Sequence, residues 1–243
     1  MLIKIAHRGF SGIAPENTMV AFQKALEVGV DGVELDVHGT LDRQVVSIHD
    51  STLDRTTDRS GSINQLTLSQ IREADAGSWF SPQFAGEKIP ILAEALDLIR
   101  QSSVAVVEIK DTNIVEQVVE VIHQTNASDY VVVISFDQSA LKQIRQLDPR
   151  IPTGFLVGSN DETNSMKDPA AIELVKQVST IGAGTLNVQE NMVLPTFAHQ
   201  IRKRGINLWT WTVNDLARMR ELVNCGVQGI TTDFPQKLAA LGH

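Results

Sequence analysis

Short β-rich apolar runs alternate with amphipathic helical stretches along nearly the whole of this 243-residue chain. The runs fall at residues 2–6, 32–37, 104–109, 130–135, 154–157, 185–188, 208–213 and 229–232. Helical stretches lie between them. Residues 18–28 carry Phe22, Ala25 and Leu26 on one face and stop at Gly29, the residue that most readily turns a helix end. Residues 137–147 group Leu141, Ile144 and Leu147 and end before Pro149. Asp168-Pro169 opens a further helix with proline in its first turn. Asn214 is placed to cap a helix over 215–225 whose stripe is Leu216, Met219, Leu222 and Val223. Runs such as Val104-Ala105-Val106-Val107 are apolar on both faces, as strands of a parallel sheet covered by helices must be. Eight β-then-α units in a chain of this length predict an α/β fold, a TIM (β/α)8 barrel. A doubly wound open sheet is the structural alternative. It gains no support from phosphate motifs, since the chain has neither G-x-G-x-x-G nor a P-loop.

One stretch breaks the alternation. After the second run, Thr40-Leu41-Asp42-Arg43-Gln44 leads at once into Val45-Val46-Ser47-Ile48-His49, with no room for a crossover helix. A hairpin turning at Asp42-Arg43 is expected, with paired residue numbers summing to 85 and Asp36 opposite His49. Residues from about 51 to 88 form an irregular insertion. It contains the capping-box pattern Thr67-Leu68-Ser69-Gln70, which predicts a short helix through Ala74, and the aromatics Trp79 and Phe80. A helix over 92–101 follows. The expected organisation is one domain over residues 1–243, with the insertion capping the C-terminal ends of the strands.

Chemistry-bearing residues gather at strand ends. Glu34 and Asp36 are two apart, so both side chains leave the same strand face. Two unpaired carboxylates inside a barrel are costly, and a cation between them removes the cost. Glu108 and Lys110 repeat the spacing on the next barrel strand, offering a third oxygen ligand and an ammonium for a phosphate. An all-carboxylate set favours a hard divalent cation, Mg²⁺ or Ca²⁺. The competing structure is a pair of rim salt bridges, Arg8 with Glu34 or Asp36 and Lys110 with Glu108. His7 ends the first strand and His49 ends the hairpin, giving two imidazoles for general acid–base work on a phosphate ester. Arg8 can grip two phosphate oxygens at once. Trp209 and Trp211 face one way, and Trp211, nearer the strand's C-terminal end, can wall a substrate pocket or pack in the core. Asp233 is placed to cap a helix at Pro235. Asp50 and Glu16 serve either to orient site residues or simply as turn and helix-start residues, and stay outside the catalytic set. His38, His123, His199 and His243 have no such context, and Cys225 reads as a helix-end packing residue.

The net charge of −8 argues against a broad nucleic-acid face, so any phosphate site must be made positive locally. No apolar run approaches the roughly 18–20 residues of a membrane span. The first residues enter an apolar strand directly, without a signal-peptide pattern, and Cys225 is the sole cysteine. Cytoplasmic residence is the expectation.

Taken in order, several motifs resemble the glycerophosphodiester phosphodiesterase family: His7-Arg8-Gly9, Pro15-Glu16-Asn17-Thr18, Glu34-x-Asp36, His49-Asp50, Leu53-Asp54-Arg55-Thr56-Thr57, Glu108-x-Lys110, Ser135-Phe136, Trp211-Thr212-Val213-Asn214 and Thr232-Asp233. The resemblance implies a TIM barrel with an insertion after the second strand. It also implies divalent-cation-dependent hydrolysis of a small glycerophosphodiester to sn-glycerol 3-phosphate and an alcohol. By position, Glu34, Asp36 and Glu108 match the family's metal ligands, His7 and His49 its acid–base pair, and Arg8 and Lys110 its phosphate contacts. The hairpin turn departs from the family's usual Asp-Gly by reading Asp42-Arg43. Two alternatives stand beside this function. One is a related phosphodiesterase acting on lysophospholipids or phosphoinositides, and the other a catalytically silent barrel that binds glycerophosphodiesters.

Overall fold

The computed structural model describes residues 2–100, 102–158 and 168–241. Eight parallel strands close into a barrel: β1 (Ile3–Ala6), β2 (Gly32–Gly39), β4 (Val104–Ile109), β5 (Val131–Ser135), β6 (Thr153–Val157), β7 (Thr185–Gln189), β8 (Asn207–Trp211) and β9 (Gly229–Thr232). The ring shuts because β1 pairs with both β2 and β9. The remaining strand, β3 (Val45–Ser47), runs antiparallel against the far end of β2. Between the strands lie α1 (Met19–Val28), α3 (Leu92–Ile99), α4 (Val115–Gln124), α5 (Gln138–Leu147), α6 (Asp168–Ile181), α7 (Pro195–Arg202) and α8 (Leu216–Cys225). A short α2 (Leu68–Ile71) sits in the insertion, and α9 (Gln236–Ala239) follows β9.

Strand parity divides the side chains. Val33, Leu35 and Val37 of β2 and Ala105, Val107 and Ile109 of β4 face outward into a core shared with α1, α3 and α4. Ile5, Val106, Ile134, Leu156 and Trp209 face inward and fill the barrel's centre. Above that plug the inward positions become polar: Glu34, Asp36, Glu108 and Asn187 are all buried. This is the layered interior of a TIM barrel, with its functional layer toward the C-terminal ends of the strands.

Helix punctuation follows side-chain chemistry. Thr18 caps α1 through the Ala21 N–H, and Gly29 closes it at φ 76°. Asp137 caps α5. At α8 the expected Asn214 cap is replaced by Asp215, which accepts from the Arg218 N–H at 2.8 Å. The expected helix over 92–101 ends at Ile99, and Gln101 lies outside the described residues. Within the insertion, Thr67 and Gln70 form the expected capping box, but α2 stops at Ile71 rather than reaching Ala74. The insertion packs Leu53, Ile63, Ile71 and Ala74 around Val46 and Ile48 of the hairpin.

The hairpin register differs from expectation by one residue. Val37 pairs with Ser47 and Gly39 with Val45, so paired numbers sum to 84. The loop is the three residues Leu41-Asp42-Arg43, with Arg43 left-handed at φ 62°. The Arg43 N–H donates to Thr40 O at 3.0 Å and the Thr40 N–H to Gln44 O at 2.9 Å. That is the form of a three-residue hairpin, whose last loop residue takes positive φ. Asp36 therefore faces Ile48, whose N–H donates to the Asp36 carbonyl at 3.1 Å, and His49 lies one residue past it.

Candidate active site

Glu34 and Asp36 project inward from β2, and Glu108 from the paired position on β4, where Asp36 and Glu108 are direct register partners. One carboxylate oxygen from each of the three lies within 4.8 Å of the others. Glu34 Oε1, Asp36 Oδ1 and Glu108 Oε1 are each buried without a hydrogen-bond donor. Three buried carboxylates converging on one point fit a divalent cation, because only Lys110 and Arg8 stand by to offset their charge and none of the three oxygens accepts a hydrogen bond. Burial and the neighbouring carboxylates push Glu34 well above its usual range and Glu108 up to about 7. Asp36 behaves oppositely. Burial opposes its ionisation, but Lys110 and Arg8 outweigh it and hold the group at about 2.

The positive charge is local. Lys110 Nζ stands 2.6 Å from Glu108 Oε1 and 3.2 Å from Asp36 Oδ1, at ion-pair distance but outside hydrogen-bond geometry. Arg8 Nε is 3.2 Å from Asp36 Oδ2, and the Arg8 N–H donates to Glu34 Oε2 at 2.8 Å. Both predicted rim salt bridges thus exist alongside the carboxylate cluster. Arg8 takes φ 54° and Asn17 φ 57°, two non-glycine residues in the left-handed region beside the site. Asn17 repays its strain with bonds. It donates to Asp36 Oδ2 at 2.8 Å, accepts the Asp36 N–H at 3.1 Å and accepts the Ser47 hydroxyl at 3.0 Å.

His7 and His49 both line the cavity. His7 donates from Nδ1 to Asp233 Oδ1 at 2.6 Å, and His49 from Nδ1 to Asp50 Oδ1 at 2.7 Å. Each bond fixes the ring and leaves Nε2 as the free nitrogen. Burial lowers His49 below the ordinary imidazole range, against the pull of Asp36 and Asp50. Asp233 does not cap the last helix. Pro235 takes that position without a side-chain bond. Asp233 instead accepts from His7, from Ser11 Oγ at 2.9 Å and from Asn214 Nδ2 at 2.6 Å, and is held at about 2. Of the remaining histidines, His38 donates from Nε2 to the His49 carbonyl at 3.0 Å. His123 and His199 do not line the cavity, and His243 lies outside the described residues.

The cavity, about 220 Å³, has two unlike sides. Toward β1, β2 and β4 it is lined by the charged groups; toward β5, β6 and β8 by Ile134, Phe136, Leu156 and Trp211. Trp211 and Phe136 meet edge to face with centroids 5.5 Å apart, and Phe136 is 46% exposed at the mouth. Asn187 of β7, buried with Oδ1 unpartnered, completes the wall. Sequence reasoning passed over Asn187 and misassigned Asp233. Both were discoverable from strand parity, since Thr185, Asn187 and Gln189 share one face and Gly229, Thr231 and Asp233 another.

An inward ring of carboxylates, paired imidazoles and cations at the C-terminal ends of barrel strands defines a TIM-barrel enzyme acting on phosphate esters. Residues 7–237 match the glycerophosphoryl diester phosphodiesterase family. A glycerophosphodiester phosphodiesterase of Caldanaerobacter subterraneus subsp. tengcongensis is 35% identical, with 98% of this chain and 96% of that protein covered. Bacillus subtilis YhdW is 37% identical over 95% of this chain and 94% of its own length. Among solved structures, a phosphodiesterase from Oleispira antarctica in complex with the product sn-glycerol 3-phosphate superposes with a TM-score of 0.89 at 30% identity. It covers 98% of this chain and 95% of its own. The chain belongs to the glycerophosphoryl diester phosphodiesterase family. No helix among the described residues is long and apolar enough to cross a membrane.

Proposed function

We propose that this protein hydrolyses glycerophosphodiesters to sn-glycerol 3-phosphate and a free alcohol, with Glu34, Asp36 and Glu108 as ligands of a divalent cation, Mg²⁺ or Ca²⁺. The observation that carries the reading is the set of three buried carboxylate oxygens without hydrogen bonds, in a cavity that two carboxylate-backed histidines also line. The product bound in the Oleispira antarctica enzyme is the one this reaction releases. The whole chain acts as one catalytic unit, with the insertion over residues 51–88 bordering the charged side of the site. Cytoplasmic residence belongs to the same reading.

In the proposed mechanism Arg8 grips two non-bridging phosphate oxygens, as its planar fork allows. His7, oriented by Asp233, takes a proton at Nε2 from the attacking hydroxyl as the new P–O bond forms. That hydroxyl belongs either to water directly or to the substrate's glycerol, in which case water then opens the cyclic phosphate. His49, oriented by Asp50, delivers its proton to the departing alkoxide as the old P–O bond breaks. Lys110 stabilises the charge that builds on the equatorial oxygens. The cation, when bound, supplies further charge stabilisation at the phosphoryl group. Trp211 and Phe136 present an apolar wall to the carbon skeleton of the substrate.

The test is purified protein with glycerophosphocholine and Mg²⁺ or Ca²⁺, coupled to glycerol 3-phosphate detection. Turnover with a divalent cation, abolished in His7→Ala, is the expected result. No turnover with any divalent cation, or full activity in His7→Ala, overturns the assignment.

A further inference from the structure

Arg55 does not line the cavity, yet its guanidinium spans the two carboxylates that hold Arg8 and His49. Nε and Nη2 donate to Asp50 Oδ2 and Oδ1 at 2.7 and 3.0 Å. Nη1 and Nη2 donate to Glu16 Oε2 and Oε1 at 2.9 and 2.8 Å. On each carboxylate one of those oxygens is shared with an active-site side chain. Asp50 Oδ1 also accepts from His49 Nδ1, and Glu16 Oε1 also accepts from Arg8 Nη1 at 2.7 Å. An unbroken chain therefore runs Arg8–Glu16–Arg55–Asp50–His49, with its centre on the insertion and its ends in the cavity. Glu16 stands in the loop between β1 and α1, and Asp50 follows the hairpin. Among the described residues no backbone hydrogen bond links the two loops; Arg55 ties them, beside the Ser47–Asn17 bond at the hairpin.

We propose that Arg55 is a positioning residue of the reaction, holding Asp50 so that His49 keeps its free nitrogen on the leaving oxygen, and holding Glu16 so that Arg8 keeps its fork on the phosphate. This inference rests on the phosphodiesterase reading and on His49 as the proton donor. Two properties of arginine suit the task. Its planar fork can meet two carboxylates at once with fixed angles, which a lysine ammonium cannot. It also remains charged at any working pH, so the chain is held throughout the catalytic cycle. Loss of an outer partner of this kind costs on the order of 10- to 100-fold in activity where it orients a reacting group.

A structural clasp for the insertion and a positioning residue for His49 predict different kinetics. The comparison uses two substrates: glycerophosphocholine, whose alkoxide needs a proton to leave, and the p-nitrophenyl ester of glycerol 3-phosphate, whose phenolate does not. In Arg55→Ala the expected kcat on glycerophosphocholine falls about 10- to 100-fold, while kcat on the nitrophenyl ester falls less than about threefold. KM rises alike for both through the Arg8 arm. Arg55→Lys restores part of the kcat, because charge is kept but the double fork is not. In a double-mutant cycle with Asp50→Asn the kcat effects on glycerophosphocholine are non-additive, since both act through one bond to His49. Equal kcat losses on the two substrates, or additive effects in the cycle, would overturn the proposal. Wild-type protein inactive on both substrates would instead defeat the phosphodiesterase reading itself, so the two failures are distinct.

Discussion

Substituting Glu108 by Gln should make the metal-free protein more stable, and increasingly so as pH rises. Glu108 is buried and faces Asp36, and its carboxyl is raised from an ordinary 4.5 to about 7. A folded chain that holds this proton more tightly than the unfolded chain is favoured at low pH. The contribution is complete below the unfolded value and is lost as pH climbs through about 7. A displacement of that size is worth about 3 kcal/mol, most of it lost between about pH 5 and about pH 8.5. For a domain of this length, that corresponds to about 5 °C in Tm. Glutamine is neutral throughout and mimics the protonated acid. Melting curves of chelator-treated wild type and Glu108→Gln should nearly coincide at about pH 5 and separate by about 5 °C at about pH 8.5, the variant higher. His38 and His49, both lowered chiefly by burial, act oppositely: their stability is lost as pH falls below the unfolded imidazole value. They are present in both proteins and cancel in the difference. Adding saturating Mg²⁺ or Ca²⁺ should invert the order at high pH, since wild type alone keeps all three ligands. Parallel curves without metal would refute the claim that burying the Glu108 charge beside Asp36 strains the site.

Other consequences follow from single contacts. Divalent cation at about 100 times its Kd should add about 3 kcal/mol to wild-type stability and raise Tm by about 5 °C, and an unchanged melt across a cation titration would count against the carboxylate site. Gly9→Ala places a Cβ 2.6 Å from the Ala21 carbonyl carbon at a residue with φ +80°. The left-handed conformation and the backbone clash together should cost about 2–4 kcal/mol, seen as a Tm lower by about 4–8 °C. Asp233→Asn removes the charge that orients His7 but touches no carboxylate of the triad. It should lower kcat by about 10²- to 10⁴-fold while calorimetric cation affinity stays unchanged, and a joint loss of both would show that the two parts of the site are not separable.

Much of the barrel was legible because burial on both faces writes a strand as an unbroken apolar run. Residues 104–109 and 229–232 are strands to the residue, and the other six barrel strands differ by at most two residues at an end. The hairpin was less legible. Arg43 adopts φ 62°, a conformation that glycine or asparagine would have advertised and arginine does not, and the resulting loop shifts pairing by one. Asn214 and Asp215 are equally good caps by composition. The choice between them was decided by Asp233 and Thr232, which engage Asn214 from the neighbouring strand.

The same distinction separates the site residues that could be read from those that could not. Glu34, Asp36, Glu108 and Lys110 announce themselves by parity within a strand, and His49 with Asp50 by adjacency. Asp233 shares the inward parity of Thr231, but its partner His7 is 226 residues away, and only closure of β9 onto β1 makes them neighbours. Arg55 lies in an irregular loop where no periodicity predicts a direction, and its role depends on Glu16, 39 residues away. The three carboxylates sit on two directly paired strands, whereas His7 is oriented only through closure of β9 onto β1, and His49, backed by its neighbour Asp50, is held through Arg55 and Glu16. Perturbations that loosen the barrel seam or the insertion should therefore impair proton transfer before they impair cation binding. Mild denaturant offers a direct view of that order. Activity should fall at concentrations where cation affinity and far-UV ellipticity are still those of the native protein, because the His7–Asp233 bond spans the β1–β9 seam, a shorter register than the β2–β4 pairing that carries the carboxylates.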